Sequence, residues 1–373
     1  MKWVFWGAAG VIAYTYLGYV GWLWVRGCWR RRPVQSGTFT PLLSIIIVVR
    51  NEANVLEHKL RNLMELHYPE DLIEIVVVSD GSTDGTNAIL SQWAKVPRVR
   101  VILNPQGRGK AAGLNDAIKE TGGEVVVFTD ARQRIEPDAV RLLAENFADP
   151  AVGCASGELM LGDPDSGEAA NGMGLYWKIE KKIRELEAAL GSAVGATGAI
   201  YAVRRNLLVA VPPETILDDV YIPMHVSRQG ARVVFDPRAQ AWDVPDLGAD
   251  REFARKVRTL SGNYQLLQLA PWLLTSANPL RFEFVSHKLL RLVAPFALAV
   301  VLVTSFLLPQ PIYRIAFGLQ CMFYGLSLLA MARLKRGPLA RMADAAFTFV
   351  VLNMAAAAAF ANFVMRRKAM WIR

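Results

Sequence analysis

Apolar and polar positions along the chain fall into distinct regimes. Residues 3–25 read WVFWGAAGVIAYTYLGYVGWLWV, an uncharged run long enough to cross a bilayer core of about 30 Å. The run is too long to be the short apolar core of a secretory signal. Residues 289–308, 312–333 and 343–364 are three further runs of the same kind. Between the first run and the others, short β-branched segments alternate with segments of helical period. LLSIIIVV, EIVVVSD, VRVILN and EVVVFTD predict strands buried on both faces. Ala53–His67, Asp84–Lys95, Ala111–Thr121 and Pro137–Phe147 predict the helices that separate them. Such alternation implies an α/β domain with a mostly parallel sheet and helices on both faces. The expected layout is a transmembrane helix and basic linker over 1–40 and the α/β domain over 41–270. An interfacial segment over 271–288 precedes transmembrane helices and a basic tail over 289–373.

Charge adds an orientation. The 373 residues carry a formal net charge of +9. Much of the excess flanks the apolar runs, as Arg26, Arg30, Arg31 and Arg32 after the first, and Arg333, Lys335, Arg336 and Arg341 between the third and fourth. That placement fits the positive-inside rule and contact with anionic membrane lipid. It predicts an N-terminus outside and the α/β domain in the cytoplasm. The tail RRKAMWIR breaks the rule, because the last span would carry it outside. No interleaved aromatic–basic motif is present, so no nucleic-acid partner is expected. Cys28, Cys154 and Cys321 lie in separate regions, and His58, His67, His225 and His287 show no ligand spacing, which argues against a zinc or redox site.

In open α/β sheets ligands bind beyond the carboxyl ends of the strands. The four predicted strands are followed by Arg50-Asn51-Glu52, Asp80-Gly81-Ser82, the turn PQGRGK, and Asp130-Ala131-Arg132. Each could be a helix cap or turn on its own; together they predict one polar site at one sheet edge. GRGKAAG fits neither GxGxxG nor GxxxxGK[ST]. A diphosphate would therefore need a divalent metal and basic side chains. GLYWKIEKKIRELEAALGS is expected to be a surface helix packed on the sheet, with a place near the acceptor or membrane as the alternative. GDPDSGEAANGMG is expected to be a loop near the site, and residues 271–288 an interfacial helix.

From about Pro41 to Gln268 these motifs resemble membrane-bound family 2 glycosyltransferases of the GT-A fold, in the cellulose, hyaluronan, chitin and poly-N-acetylglucosamine synthase group. The motifs are SIIIVVRNEANVLEHKLRNL, VVVSDGSTDGT, GRGKAAGLNDAI, VVVFTDARQRIEPDAV, GATGAIYAVRR, ILDDVYIPMHVSRQG and RKVRTLSGNYQ. The resemblance implies a Rossmann-like GT-A domain and an inverting hexosyltransferase. It would use a nucleotide-sugar donor, UDP-linked for preference, a polysaccharide or lipid-linked acceptor, and Mg²⁺ or Mn²⁺. It also implies an integral protein of a bacterial inner membrane, working in cell-surface polysaccharide synthesis. Glu52, Asp80, Lys110, Asp130, Arg132 and Arg258 would bind the donor, with Asp130 on the metal. Gly198 and Ala199 would line the acceptor pocket. Asp219 would be the catalytic base, with Asp218 as its neighbour in a cap or supporting role.

Two departures stand out. The family's Asp-any-Asp metal motif reads Asp130-Ala131-Arg132, and its QxxRW motif reads Arg255-Lys256-Val257-Arg258-Thr259. The missing tryptophan weakens the case for processive polymer synthesis and makes single transfer to a lipid-linked acceptor the alternative. A sugar nucleotidyltransferase and a non-catalytic membrane receptor are the rivals from other classes. The first would carry a glycine-rich basic signature where VVRNEANVL stands, and the second would not need Asp80, Asp130, Asp219 and Arg258 together.

Overall fold

The structure is a computed structural model and describes residues 1–163, 168–169, 175–244, 249–331 and 337–365. Among the described residues nine strands form the sheet: β1 (Leu43–Val49), β2 (Ile73–Asp80), β3 (Val99–Asn104), β4 (Val125–Phe128), β5 (Arg134–Ile135), β6 (Val152–Asp163), β7 (Glu168–Ala169), β8 (Tyr201–Arg204) and β9 (Arg232–Asp243). Their order is β3-β2-β1-β4-β8-β6-β9-β5, with β7 paired to β6 off this path. The first four are parallel, as the alternation with helices requires. β8 then runs antiparallel between β4 and β6, while β6 and β9 are parallel, so the sheet is mixed. β1 is buried along its whole length. Its side chains divide between two cores: Ile45 and Ile47 face one cluster with Leu56, Leu60 and Leu63, and Ile46 and Val48 face the other with Leu114 and Val220.

The helices of the first half are α2 (Ala53–Met64), α3 (Thr86–Trp93), α4 (Lys110–Glu120) and α5 (Ala139–Glu145), preceded by α1 (Lys2–Gly27). Those of the second half are α6 (Leu175–Leu190), α7 (Asp218–Arg228), α8 (Ala249–Leu269), α9 (Arg281–Leu307), α10 (Pro311–Met331) and α11 (Pro338–Val364). Among the described residues four helices are long and apolar enough to cross a membrane: α1, α9, α10 and α11. α9 begins at Arg281, so the part of the expected interfacial segment over 281–288 continues unbroken into the apolar run. Only Pro271–Leu274 forms a separate short turn of helix there. Residues 332–336 and 366–373, with the basic tail, lie outside the described residues, as do 164–167 and 170–174 of the expected loop.

α6 departs from the simple surface helix expected for it. One side packs Ile183 and Leu186 against Tyr19 and Leu23 of α1. Its acidic side is clasped by α9. Glu187 Oε1 and Glu180 Oε1 lie 2.9 and 3.0 Å from the two ring nitrogens of His287, and Arg291 reaches Glu180 Oε2. Tyr19 of α1 also donates to Glu187, at 2.7 Å. Two further joins bind the apolar helices to each other and to the domain. Tyr16 of α1 and Asn353 of α11 exchange hydrogen bonds of 3.2 and 3.1 Å. Tyr264 of α8 stacks on Phe363 of α11, with ring centroids 5.0 Å apart.

Candidate active site

The carboxyl edge of β4 and the amino ends of two helices meet at one cluster of charge. Lys110 is the first residue of α4, and its Nζ lies 2.9 Å from Asp130 Oδ1, just past β4, and 3.2 Å from Asp218 Oδ2, the first residue of α7. Burial alone would lower the pKa of that ammonium, but Asp130 and Asp218 outweigh it and hold it above its ordinary value. Asp219 points elsewhere, as adjacent residues on a helix must. Its Oδ2 accepts the Gly198 N–H at 3.2 Å. A side chain at Gly198 would stand 3.5 Å from Asp219 Oδ2 and 3.7 Å from Asp130 Oδ2, so the glycine leaves both carboxylates open to the same space. Burial, reinforced by the neighbouring Asp218 carboxylate, pushes Asp219 up to about 6, with Lys110 opposing the rise.

Arg258 comes from α8, and its Nε has no hydrogen-bond partner among the described residues. Burial depresses its pKa, while Asp218, Asp130 and Asp219 pull in the other direction, which places the guanidinium in the field of all three. Close to them the Tyr201 hydroxyl is fully buried and likewise without a hydrogen-bond partner among the described residues. Burial raises its pKa, and the same three aspartates add to the rise. Ala199 is buried, and its carbonyl accepts the Thr129 hydroxyl at 2.8 Å.

The remaining expected donor-side residues are placed differently. Asp80 is fully buried, and its two oxygens accept the backbone N–H groups of Arg108, at 2.8 Å, and Gly109, at 2.7 Å. It therefore shapes the basic turn before α4. Gly81 has φ +65°, and a side chain there would fall 2.2 Å from the Gly107 nitrogen, so the two loops meet only through glycine. Arg132 lies 3.6 Å from Glu52 across the mouth of the site. Burial raises the Glu52 pKa, and Arg132 partly offsets the rise.

The structure thus brings Lys110, Asp130, Asp218, Asp219, Gly198 and Arg258 together, sets Glu52 and Arg132 opposite each other at the mouth, and turns Asp80 inward to the loop. Sequence reasoning missed Lys59, whose buried Nζ donates to Thr129 Oγ1 at 2.9 Å and to the Gln133 carbonyl at 2.7 Å. The available signal was its spacing: Lys59 stands on the face of α2 that also carries Leu56, Leu60 and Leu63. Among the described residues no group of three or more His, Cys, Asp or Glu side chains is arranged to hold a metal ion without help from a substrate.

Comparison with known proteins agrees with this architecture. The chain is 27% identical over 313 residues to a beta-monoglucosyldiacylglycerol synthase of Synechocystis sp., covering 78% of this chain and 64% of the relative. It is 24% identical over 234 residues to a poly-beta-1,6-N-acetyl-D-glucosamine synthase of Staphylococcus epidermidis, covering 62% of this chain and 56% of the relative. The chain therefore spans less than two thirds of the length of these relatives. In fold it is similar to a mannosyltransferase of Pyrobaculum calidifontis, solved with GDP-mannose and Mn²⁺, with a TM-score of 0.75, 23% identity, and coverage of 98% of this chain and 99% of that one. The family model described as glycosyl transferase family 2 matches residues 44–210, which hold β2 to β4, Lys110, Asp130 and Gly198, while Asp218, Asp219 and Arg258 lie beyond it. The chain thus shares its fold with that mannosyltransferase and is similar to glycosyl transferase family 2 over residues 44–210, and among the described residues four apolar helices are joined to this region.

Proposed function

We propose that the chain is a membrane-embedded, inverting glycosyltransferase that moves a sugar from a nucleotide-diphosphate sugar to an acceptor presented at the membrane. The observation that carries this reading is the Asp130–Lys110–Asp218 chain of charges beside Asp219, a carboxylate poised at about 6. Sugar transfer needs cations where the diphosphate departs and a base where the acceptor loses its proton. Lys110 and Arg258 supply the cations, and the diphosphate shares Lys110 with Asp130 and Asp218. Asp219 takes the acceptor proton from the opposite side of the anomeric carbon, and Gly198 keeps that approach open. A single displacement of this kind inverts the anomeric centre.

The hard oxygen of Asp130 suits Mg²⁺ or Mn²⁺, which are commonly held by one or two carboxylates together with substrate phosphates. Asp130 would hold such an ion with the diphosphate, and the ion would stabilise the leaving charge.

The four apolar helices and the basic flank at Arg26, Arg30, Arg31 and Arg32 support a multi-pass protein of the bacterial inner membrane with its domain in the cytoplasm. Cell-surface polysaccharide or glycolipid synthesis is the corresponding role. Thr259 in place of the synthase tryptophan favours single transfer to a lipid-linked acceptor, in keeping with the first relative's product, over extension of a polymer. Membranes containing the protein should be incubated with radiolabelled UDP- and GDP-sugars, and the product sized. Label in an organic-extractable product of one added sugar supports the lipid acceptor. Label in high polymer would replace it with the synthase reading, and no transfer from any donor would refute both.

A further inference from the structure

Lys59 is the least economical residue in the domain. It sits on α2 among leucines and is only 3% exposed. Among the described residues no ion pair joins it to a carboxylate and its two bonds go to neutral oxygens, although a buried charge without an opposite charge is among the most expensive things a fold can contain. Burial accordingly pushes its pKa down to about 7. A methionine would fill the same space at no such cost. Its bonds show what the ammonium does. One proton goes to Thr129 Oγ1 and another to the Gln133 carbonyl, so a single group spans the loop that carries Asp130 and Arg132. Thr129 in turn donates to the Ala199 carbonyl at 2.8 Å, next to Gly198, whose N–H holds Asp219. One turn further along α2, Asn62 grips the end of the same loop, giving Nδ2–H to the Ile135 carbonyl and accepting the Ile135 N–H, both at 2.8 Å.

We propose that Lys59 is a positioning residue for sugar transfer, a buried clamp that holds the Asp130 side and the Asp219 side of the site in register through Thr129 and Ala199. It touches neither substrate. It acts through the relative placement of the leaving-group loop and the base, where displacement of about 1 Å can cost on the order of 10²-fold in rate. Its role rests on the glycosyltransferase reading above.

The test compares wild type, Lys59→Met and Thr129→Val as full chains in detergent. Thermal midpoint, donor affinity by calorimetry, and nucleotide release with acceptor present are measured for each. Lys59→Met should keep a thermal midpoint close to that of wild type, since relief from burying the ammonium offsets the loss of its two hydrogen bonds. Its kcat should fall about 10²-fold, and donor affinity should stay within a few-fold. Thr129→Val should reproduce the same split, and the double variant should be no worse than the worse single one, because both break one chain of bonds. A Lys59→Met protein with wild-type kcat overturns the assignment. So does a fall in kcat matched by a lower thermal midpoint and weakened donor binding, which marks a merely structural lysine. If wild type itself turns over no nucleotide sugar, the transferase reading fails and the assignment fails with it. An active wild type keeps the two failures apart.

Discussion

Asp219→Asn keeps the shape of the proposed base and removes its charge, and the structure assigns this one change two effects of opposite sign. The first is kinetic. A positioned base contributes about 10²–10⁴-fold, and its contribution is felt as the acceptor proton leaves, not as the donor binds. Turnover should fall by that factor, while donor affinity stays within a few-fold. The second effect is on stability. Asp219 is raised from 3.8 to about 6, and each tenfold change in proton affinity corresponds to about 1.36 kcal/mol. Keeping the group ionised in the folded protein therefore costs at most about 3 kcal/mol. The sign follows from the raised value. The folded state holds its proton more tightly than the unfolded chain, so the stability due to this group is fully present below about pH 4 and lost as pH rises through about 6. Asparagine never ionises and does not suffer that loss. The variant should thus be inactive yet more resistant to heat than wild type at pH 7.5, with the gap closing near pH 4. Thermal unfolding in detergent across that pH range, alongside nucleotide release at pH 7.5, measures both effects. A variant that is inactive and less stable at pH 7.5 would show that Asp219 holds the fold and not the reaction. Near-normal turnover with Asp218→Asn inactive would move the base to the adjacent residue.

Other outcomes follow from the same site. Asp80→Asn removes an acceptor of the Arg108 and Gly109 amides, so it should loosen the basic turn and weaken donor binding by about tenfold, with a smaller effect on kcat; calorimetry with the nucleotide sugar reads this. Excess EDTA should abolish transfer, and Mg²⁺ or Mn²⁺ should restore it only at concentrations higher than a two-carboxylate motif needs, because Arg132 stands where Asp-any-Asp has its second carboxylate; full activity in EDTA would leave Lys110 and Arg258 to stabilise the leaving charge alone. Protease added to right-side-out vesicles should spare residues 41–280, and cleavage there from outside would reverse the proposed topology.

β1, β2, β3 and β4 stand within a residue or two of LLSIIIVV, EIVVVSD, VRVILN and EVVVFTD. β1, β2 and β4 are buried at nearly every position, as a parallel strand covered on both faces must be. β3 corrects the expectation of burial on both faces: it is the edge of the sheet, with Arg100 and Leu103 exposed and only Val99 buried, and it was legible from its β-branched residues alone. β9 was not legible, since RVVFDPRAQAWD is interrupted by Pro237 and carries polar Arg238 and Gln240. β6 includes Gly153 and Gly157, and β5 has two residues, too few to set a period. α6 looked like a solvated helix because its glutamates find their partners about a hundred positions later, at His287 and Arg291. For the site, chemistry at strand ends pointed to Asp130 and Lys110. The inward turn of Asp80 depends on backbone amides that have no signature of their own.

The clasp between α6 and α9 bears on where chemistry can happen. His287 offers each of its two ring nitrogens to a different glutamate, and Arg291 seizes one of the same pair, so the domain meets its anchor at fixed angles. Breaking one partner of such a buried charged set typically costs about 3–5 kcal/mol. In the proposed setting the domain therefore cannot roll or lift freely over the bilayer. There the clasp works as a depth gauge: the height at which a sugar is delivered is written into the protein, and only hydroxyls presented at that height are eligible. Selectivity among membrane acceptors then begins with geometry, before any residue of the pocket has touched the molecule it will modify.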